Sequence, residues 1–220
     1  MKEEYLNTHN IAAKSQEFRR LTAREPDRRC EYLPVKSALM VLDMQRYFLE
    51  EKSHAYIPSA PVIVPGLIDL MDAYRGRSLP VILTRHLNDG SNAGMMDRWW
   101  QELITKDNPL SEIDDRFKAA GDVVVEKSQY DAFHNTAVEA QLRENNVTQV
   151  VVCGVMAHLC CETTARSAFM RGFEVFFPVD GTATYNEEFH KASLLNLSHG
   201  FAELVLINEL LRALKKNDGR

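Results

Sequence analysis

The sequence has no uninterrupted apolar run approaching the ~18 residues that a membrane-spanning helix needs. Its first thirty residues are polar and mixed in charge, without the apolar middle of a secretion signal. No block of like charge occurs, and a formal net charge of −5 over 220 residues offers little to a nucleic acid or an anionic membrane. Cysteine is scarce: Cys30, Cys153, Cys160 and Cys161 are the four, with no C-x-x-C pair among them. That spacing argues against a zinc ribbon, and a chain of this size without a signal segment argues against a disulfide framework. Internal repeats and low-complexity linkers are also missing. These absences lead to the expectation of a cytoplasmic protein whose partner is a small molecule, with no nucleic acid, no membrane, no cofactor and no metal.

What is present is 45% hydrophobic and 26% charged, enough for one sizeable core. Residues 1–36 read as a polar N-terminal extension, with helical spacing over 11–21 and then a charged stretch ending near Pro34. Such an arm packs on its own domain or on a second subunit. From residue 37 to residue 220 apolar runs alternate with helical patterns in one domain. The spacing predicts strands over 38–43, 80–84, 122–125, 149–153, 173–179 and 203–207. It predicts helices over 65–77, 136–145, 160–171, 187–199 and 210–216, with Pro65 in the first turn of its helix, where a missing N–H costs least. Continuous β-branched runs mean strands buried on both faces, and strand–helix alternation means right-handed crossovers. The expected fold is α/β, a three-layer α/β/α sandwich with a mostly parallel six-stranded sheet. Sites in such sheets form at the carboxyl ends of strands, which directs attention to the positions just after Asp43, Thr84, Val125 and Cys153.

Asp43 ends the first strand. It reads as a general base whose carboxyl rises on burial, or as a turn-former satisfying loop N–H groups. Lys127 ends the third strand and reads as an anion-stabilising group or a solvated loop lysine. Cys160 stands at the start of a helix, where exposed N–H groups and the helix dipole favour a thiolate and can hold an oxyanion. The alternative is a small buried hydrophobe, a reading that fits Cys153 well.

Three segments carry a resemblance: Val41-Leu42-Asp43-Met44-Gln45-Arg46-Tyr47-Phe48, Lys127-Ser128-Gln129-Tyr130-Asp131-Ala132-Phe133, and Gly154 through Cys160 followed by Thr163-Thr164-Ala165. In this order, and with Val179-Asp180-Gly181-Thr182-Ala183 behind them, they resemble the isochorismatase-like cysteine hydrolases, the family of nicotinamidases and N-carbamoylsarcosine amidase. The likeness runs from about Ser37 to the C-terminus. It implies a catalytic triad of Asp43 as base, Cys160 as nucleophile and Lys127 between them. It implies a cis peptide between Val155 and Met156, an oxyanion hole from the N–H groups of Met156 and Cys160, and a thioester intermediate. It also implies a homo-oligomer, a dimer or tetramer, to which the arm can contribute.

The chain departs from metal-binding nicotinamidases, which carry Asp-x-His after the second strand; here the segment is Thr84-Arg85-His86-Leu87-Asn88-Asp89. His86 then reads as a pocket wall. Arg85 reads as a guanidinium for a substrate carboxylate or as a structural ion pair. Trp99 and Trp100 follow as wall candidates, one of the two expected in the core. Gln45, Phe48, Arg85, His86, Trp100, Tyr130 and His158 form the expected substrate-binding set. The reaction expected first is hydrolysis of a small amide or carbamoyl C–N bond on a carboxylated substrate. Ala157-His158 resembles true isochorismatases, which keeps open a vinyl-ether hydrolase that uses Asp43 and no nucleophile. A non-catalytic binding protein on the same fold is the third reading.

Overall fold

The computed structural model describes residues 1–22, 30–119 and 122–216. Helix α1 covers Ile11–Leu21, where its helical spacing lies; part of the charged stretch behind it, residues 23–29, lies outside the described residues. Strand β1 (Ser37–Leu42) is buried at every position, as a continuous apolar run in a doubly covered strand should be. A short helix α2 (Arg46–Leu49) leads to α3 (Ala60–Arg75), then β2 (Val81–His86), a single turn α4 (Met96–Trp99) and β3 (Val123–Lys127). Helix α5 (Val138–Glu144), β4 (Gln149–Val155), α6 (Glu162–Met170), β5 (Glu174–Pro178) and β6 (Thr182–Ala183) follow. Helix α7 (Glu187–Gly200), β7 (Glu203–Val205) and α8 (Ile207–Lys216) complete the chain. Among the described residues, no helix is long and apolar enough to cross a membrane.

The strands pair in the order β3-β2-β1-β4-β5-β7, all parallel, with β6 joining β4 at Gly154 and Val155 beyond the reach of β5. The chain moves outward from β1 through β2 to β3, then returns to the other side of β1 with β4. That reversal opens a crevice at the carboxyl ends of β1 and β4. Period-two alternation divides the core. Leu39, Val41, Val151, Cys153 and Val155 face α3 and α8, meeting Leu67, Met71, Tyr74 and Leu210. Ala38, Met40, Leu42, Val150 and Val152 face the other layer, with Leu142, Ala165, Leu194 and Leu197.

Several details differ from the sequence reading. The sheet has a seventh strand, β6, two residues long and therefore without a readable period. Helix α3 begins at Ala60, with Pro61 in the first turn and Pro65 inside. The N–H that Pro65 lacks would have bonded the carbonyl of Pro61, one turn from the helix start, so the loss is confined to the end. Strand β3 is an edge, and Val123 and Val124 are exposed rather than buried on both faces. Strand β7 stops at Val205 because the Ile207 N–H is taken by Asp180 Oδ1 at 2.9 Å and α8 starts there.

The N-terminal segment packs on its own chain. Leu6 and Phe18 are buried in the second core layer. Tyr5 Oη lies 2.9 Å from His190 Nδ1 and accepts the Thr184 N–H at 3.0 Å, which ties the segment to the end of β6.

Gly154 sits opposite Leu42 in the β1–β4 register with φ 107°, a region that disfavours any side chain. A Cβ there would run into the backbone oxygen of Leu42, one residue before Asp43. Gly154→Ala should therefore cost about 3 kcal/mol or more in urea denaturation, and a loss below about 1 kcal/mol would show that the two strands tolerate a wider spacing.

Candidate active site

Asp43 leaves β1 with φ 53°, in the left-handed region that aspartate tolerates better than most residues. Thr84 of β2 fixes it there. Its hydroxyl accepts the Asp43 N–H at 3.1 Å and donates to Asp43 Oδ1 at 2.6 Å. The other carboxylate oxygen faces Lys127, the last residue of β3, whose Nζ lies 2.8 Å away with both side chains fully buried. The approach is off-line, so Oδ2 meets the ammonium as an ionic contact and retains unused acceptor capacity. Lys127 also donates to Gln129 O at 3.0 Å and lies 3.4 Å from Cys160 Sγ and 3.4 Å from His86 Nδ1. Asn88 donates its amide to Ser128 O, so its Oδ1 accepts from His86 Nε2 at 2.7 Å. His86 thus turns a bare Nδ1 toward the ammonium.

Cys160 does not open an α-helix. It lies in a π-turn over Ala157–Cys161, in which the Met156 carbonyl accepts from both Leu159 N and Cys161 N, and α6 begins only at Glu162. The Val155–Met156 peptide before the turn is cis.

Two electrostatic expectations are corrected. Burial alone would push the Asp43 carboxyl up, but Lys127, then His86, hold it below its ordinary value. The Cys160 thiol is pushed up to about 12 by burial and by the Asp43 charge, against the pull of Lys127. Burial would lower Lys127, yet Asp43 and Cys160 hold it above the usual lysine value. Burial, then the Lys127 charge, takes His86 down to about 4. At neutral pH the cluster is a carboxylate, an ammonium, a neutral imidazole and a thiol.

Above Cys160 opens a cavity of about 290 Å³. His86, Asn88, Met156 and Cys160 form its floor; Phe48, Met96, Trp100, Ile104 and Tyr130 are among its walls; Lys2, His54, Glu102 and Tyr185 stand at its mouth. Trp100 Nε1 donates to Tyr130 Oη at 2.9 Å and locks the two rings edge to face.

Residues 37–209 match the Isochorismatase domain family. A relative from Arabidopsis thaliana, Nicotinamidase 3, is 40% identical over 186 residues, 82% of this chain and 90% of that protein. Enterobactin synthase component B of Escherichia coli is 30% identical over 183 residues, 82% of this chain and 64% of that longer protein. A solved cysteine hydrolase from Pseudomonas syringae superposes with a TM-score of 0.82 at 28% identity, over 86% of this chain and 96% of that one. The chain belongs to the isochorismatase family. It is a hydrolase by that kinship, and its parallel sheet is the family's.

Within this family member, six of the expected site residues reach the cavity: Phe48, His86, Trp100, Tyr130, Met156 and Cys160. Asp43 and Lys127 lie beneath Cys160, out of solvent. Arg85 does not reach it. As the odd neighbour of Thr84 and His86 it points to the opposite face of β2, where Ser111 and Glu112 hold its guanidinium. The ground for expecting a carboxylated substrate at Arg85 is thereby removed. Gln45 is fully buried, and its amide is consumed by His86 N, His86 O and Ser111 O, so it clips the 109–117 loop to β2 rather than touching a ligand. His158 bonds Thr184 and stacks on Phe189 at 4.4 Å, away from the cavity. Val155 is core. Trp99 is exposed, and neither tryptophan is core. Lys2, His54, Glu102 and Tyr185 line the cavity without any sequence signal beyond their polarity, because each arrives from a separate loop or segment, while Tyr47 and Asn88, which also line it, stand in segments already singled out without being named as wall residues.

Asp43, His86 and Cys160 present ligand atoms within 4.8 Å of one another, close enough to suggest a metal. The set does not fit one, because the Lys127 ammonium already stands at 2.8, 3.4 and 3.4 Å from those three groups. A second cation beside it would meet direct charge repulsion.

The charge arrangement makes a testable statement about Cys160. Iodoacetamide labelling of the resting protein should be slow at pH 8 and rise toward pH 11, with no plateau near the ordinary thiol value. Asp43→Asn removes the charge that raises the thiol, so labelling at pH 8 should speed up by about tenfold. A wild-type plateau below pH 8 would overturn this reading.

Proposed function

We propose that this protein hydrolyses the C–N bond of a small amide through a thioester on Cys160, with Asp43 as the proton carrier. The observation that carries the reading is the buried contact set in which Lys127 touches both the Asp43 carboxylate and the Cys160 sulfur. The mechanism follows from the resting charges. Cys160 gives its proton to Asp43 as sulfur attacks the carbonyl carbon, so the thiolate exists only while it forms a bond. The Lys127 ammonium offsets negative charge on whichever of the two groups carries it, which keeps the transfer nearly isoelectric. The N–H groups of Met156 and Cys160 are assigned as donors to the oxyanion. Protonated Asp43 then hands its proton to the departing nitrogen and ammonia leaves. Asp43 next takes a proton from water, hydroxide attacks the thioester, and the carboxylic product departs as the proton returns to sulfur.

The walls of Phe48, Trp100 and Tyr130 suit a flat or apolar amide, and the 40% identity to a nicotinamidase makes nicotinamide the first probe. Carbamoyl compounds are the second. Ammonia release should be lost by about 10³-fold or more in both Cys160→Ala and Asp43→Asn. A wild-type protein that releases no ammonia but cleaves a vinyl ether, in a reaction that Asp43→Asn abolishes and Cys160→Ala leaves intact, would replace this reading with vinyl-ether hydrolysis, which needs the acid and no nucleophile.

A further inference from the structure

The family match begins at residue 37, yet the cavity has a residue from far outside it. Lys2 lines the mouth, and the segment that carries it is pinned. The Glu3 N–H donates to Tyr185 O at 2.8 Å, Glu3 Oε1 accepts the Glu187 N–H at 2.8 Å, and the Asn186 amide donates to Met1 O at 3.2 Å. Farther along, Tyr5 bonds Thr184 and His190, and the Leu6 N–H donates to Ser59 Oγ at 3.0 Å beneath a fully buried Leu6 side chain. These bonds fix the strap across residues 184–187, which follow β6.

The ammonium placed there is left with charge to spare. Lys2 Nζ donates to the His54 carbonyl and sits 4.6 Å above the Tyr185 ring. Among the described residues it has no carboxylate within ion-pair distance. Glu102, the acid at the same mouth, turns to other partners than Lys2. It accepts from Tyr47 Oη at 2.5 Å and meets His54 Nδ1 at 3.1 Å. The cavity therefore has a proton-transfer end at Cys160, apolar walls, and at its opening an ammonium that no carboxylate of the described residues pairs. An anionic ligand group supplies what is missing.

We propose that Lys2 is a specificity-determining residue that selects amides carrying a carboxylate at the end remote from the scissile bond. The carboxylate expected from the sequence at Arg85 is thus met by a different cation, brought by the N-terminal strap. The inference rests on the amide-hydrolase reading of the same cavity, but its test does not require turnover.

Calorimetry on the Cys160→Ala protein compares benzamide with benzamides bearing a para-carboxylate directly or on a one- or two-carbon tether. At least one carboxylated member should bind more tightly than benzamide, and Lys2→Gln should reduce that preference about tenfold. Lys2→Arg should retain it, and added salt should weaken it because Lys2 is exposed. A preference that Lys2→Gln leaves intact, or no preference in any member, overturns the proposal. Ammonia release from the same compounds by the wild-type protein is measured in parallel. Binding that depends on Lys2, with no ammonia released from these compounds, from nicotinamide or from the carbamoyl probes, would sink the amide-hydrolase reading and leave the anion site standing.

Discussion

The buried ion pair of Asp43 and Lys127 is the constraint around which the site is organised. Removing two charges from water costs several kcal/mol for each, and their mutual attraction offsets that only when the remaining donors and acceptors are also met. Here Thr84 meets one carboxylate oxygen, while Gln129 O and His86 Nδ1 take the ammonium's other directions. Each of these groups comes from β2, β3 or the turns that follow them, so three neighbouring strands must be in register for the pair to exist. The pair is thus a readout of the sheet, and the sheet's edge is held partly by what the pair demands.

The same interaction sets the proton inventory. Burial, then the carboxylate beside it, keeps the Cys160 thiol protonated, with its value pushed up to about 12. A lone activated thiolate would react with any electrophile that entered the cavity. In the proposed mechanism, a thiol held against a carboxylate with spare acceptor capacity becomes nucleophilic only when the proton has somewhere to go and the new charge on the substrate has donors to meet it. The ammonium occupies the place a metal would take, so this chain keeps its charge balance with a side chain.

Much of the site was legible in the residues. Asp43 and Lys127 stand at the ends of parallel strands and Cys160 follows another, so parallel topology brings them to one edge, while their joint role came from the family resemblance. Phe48 and Tyr130 stand inside the motifs, and Trp100 was legible as a large aromatic wall candidate after the second strand. The failures have a common cause. Arg85 and His86 are adjacent in sequence, and the two-residue period of the strand sends them to opposite faces. Gln45 and His158 belong to the motifs but satisfy buried backbone and hydroxyl partners, which no motif reveals. The state of the Cys160 thiol was misjudged because a helix terminus was assumed; its burial and the neighbouring Asp43 carboxylate set it instead.

The sequence by itself determined the strand–helix alternation, the parallel sheet and the strand ends at which chemistry collects, because these follow from periodicity and from connections that have one handedness. Only the tertiary structure decided which side chains share a cavity and what charge they carry there. Lys2 reaches the mouth across more than fifty positions of chain to meet His54, and the carboxyl and thiol values depend on distances of a few ångströms between three strands. Burial and Coulomb energies vary steeply over that range, while a linear sequence has no record of it.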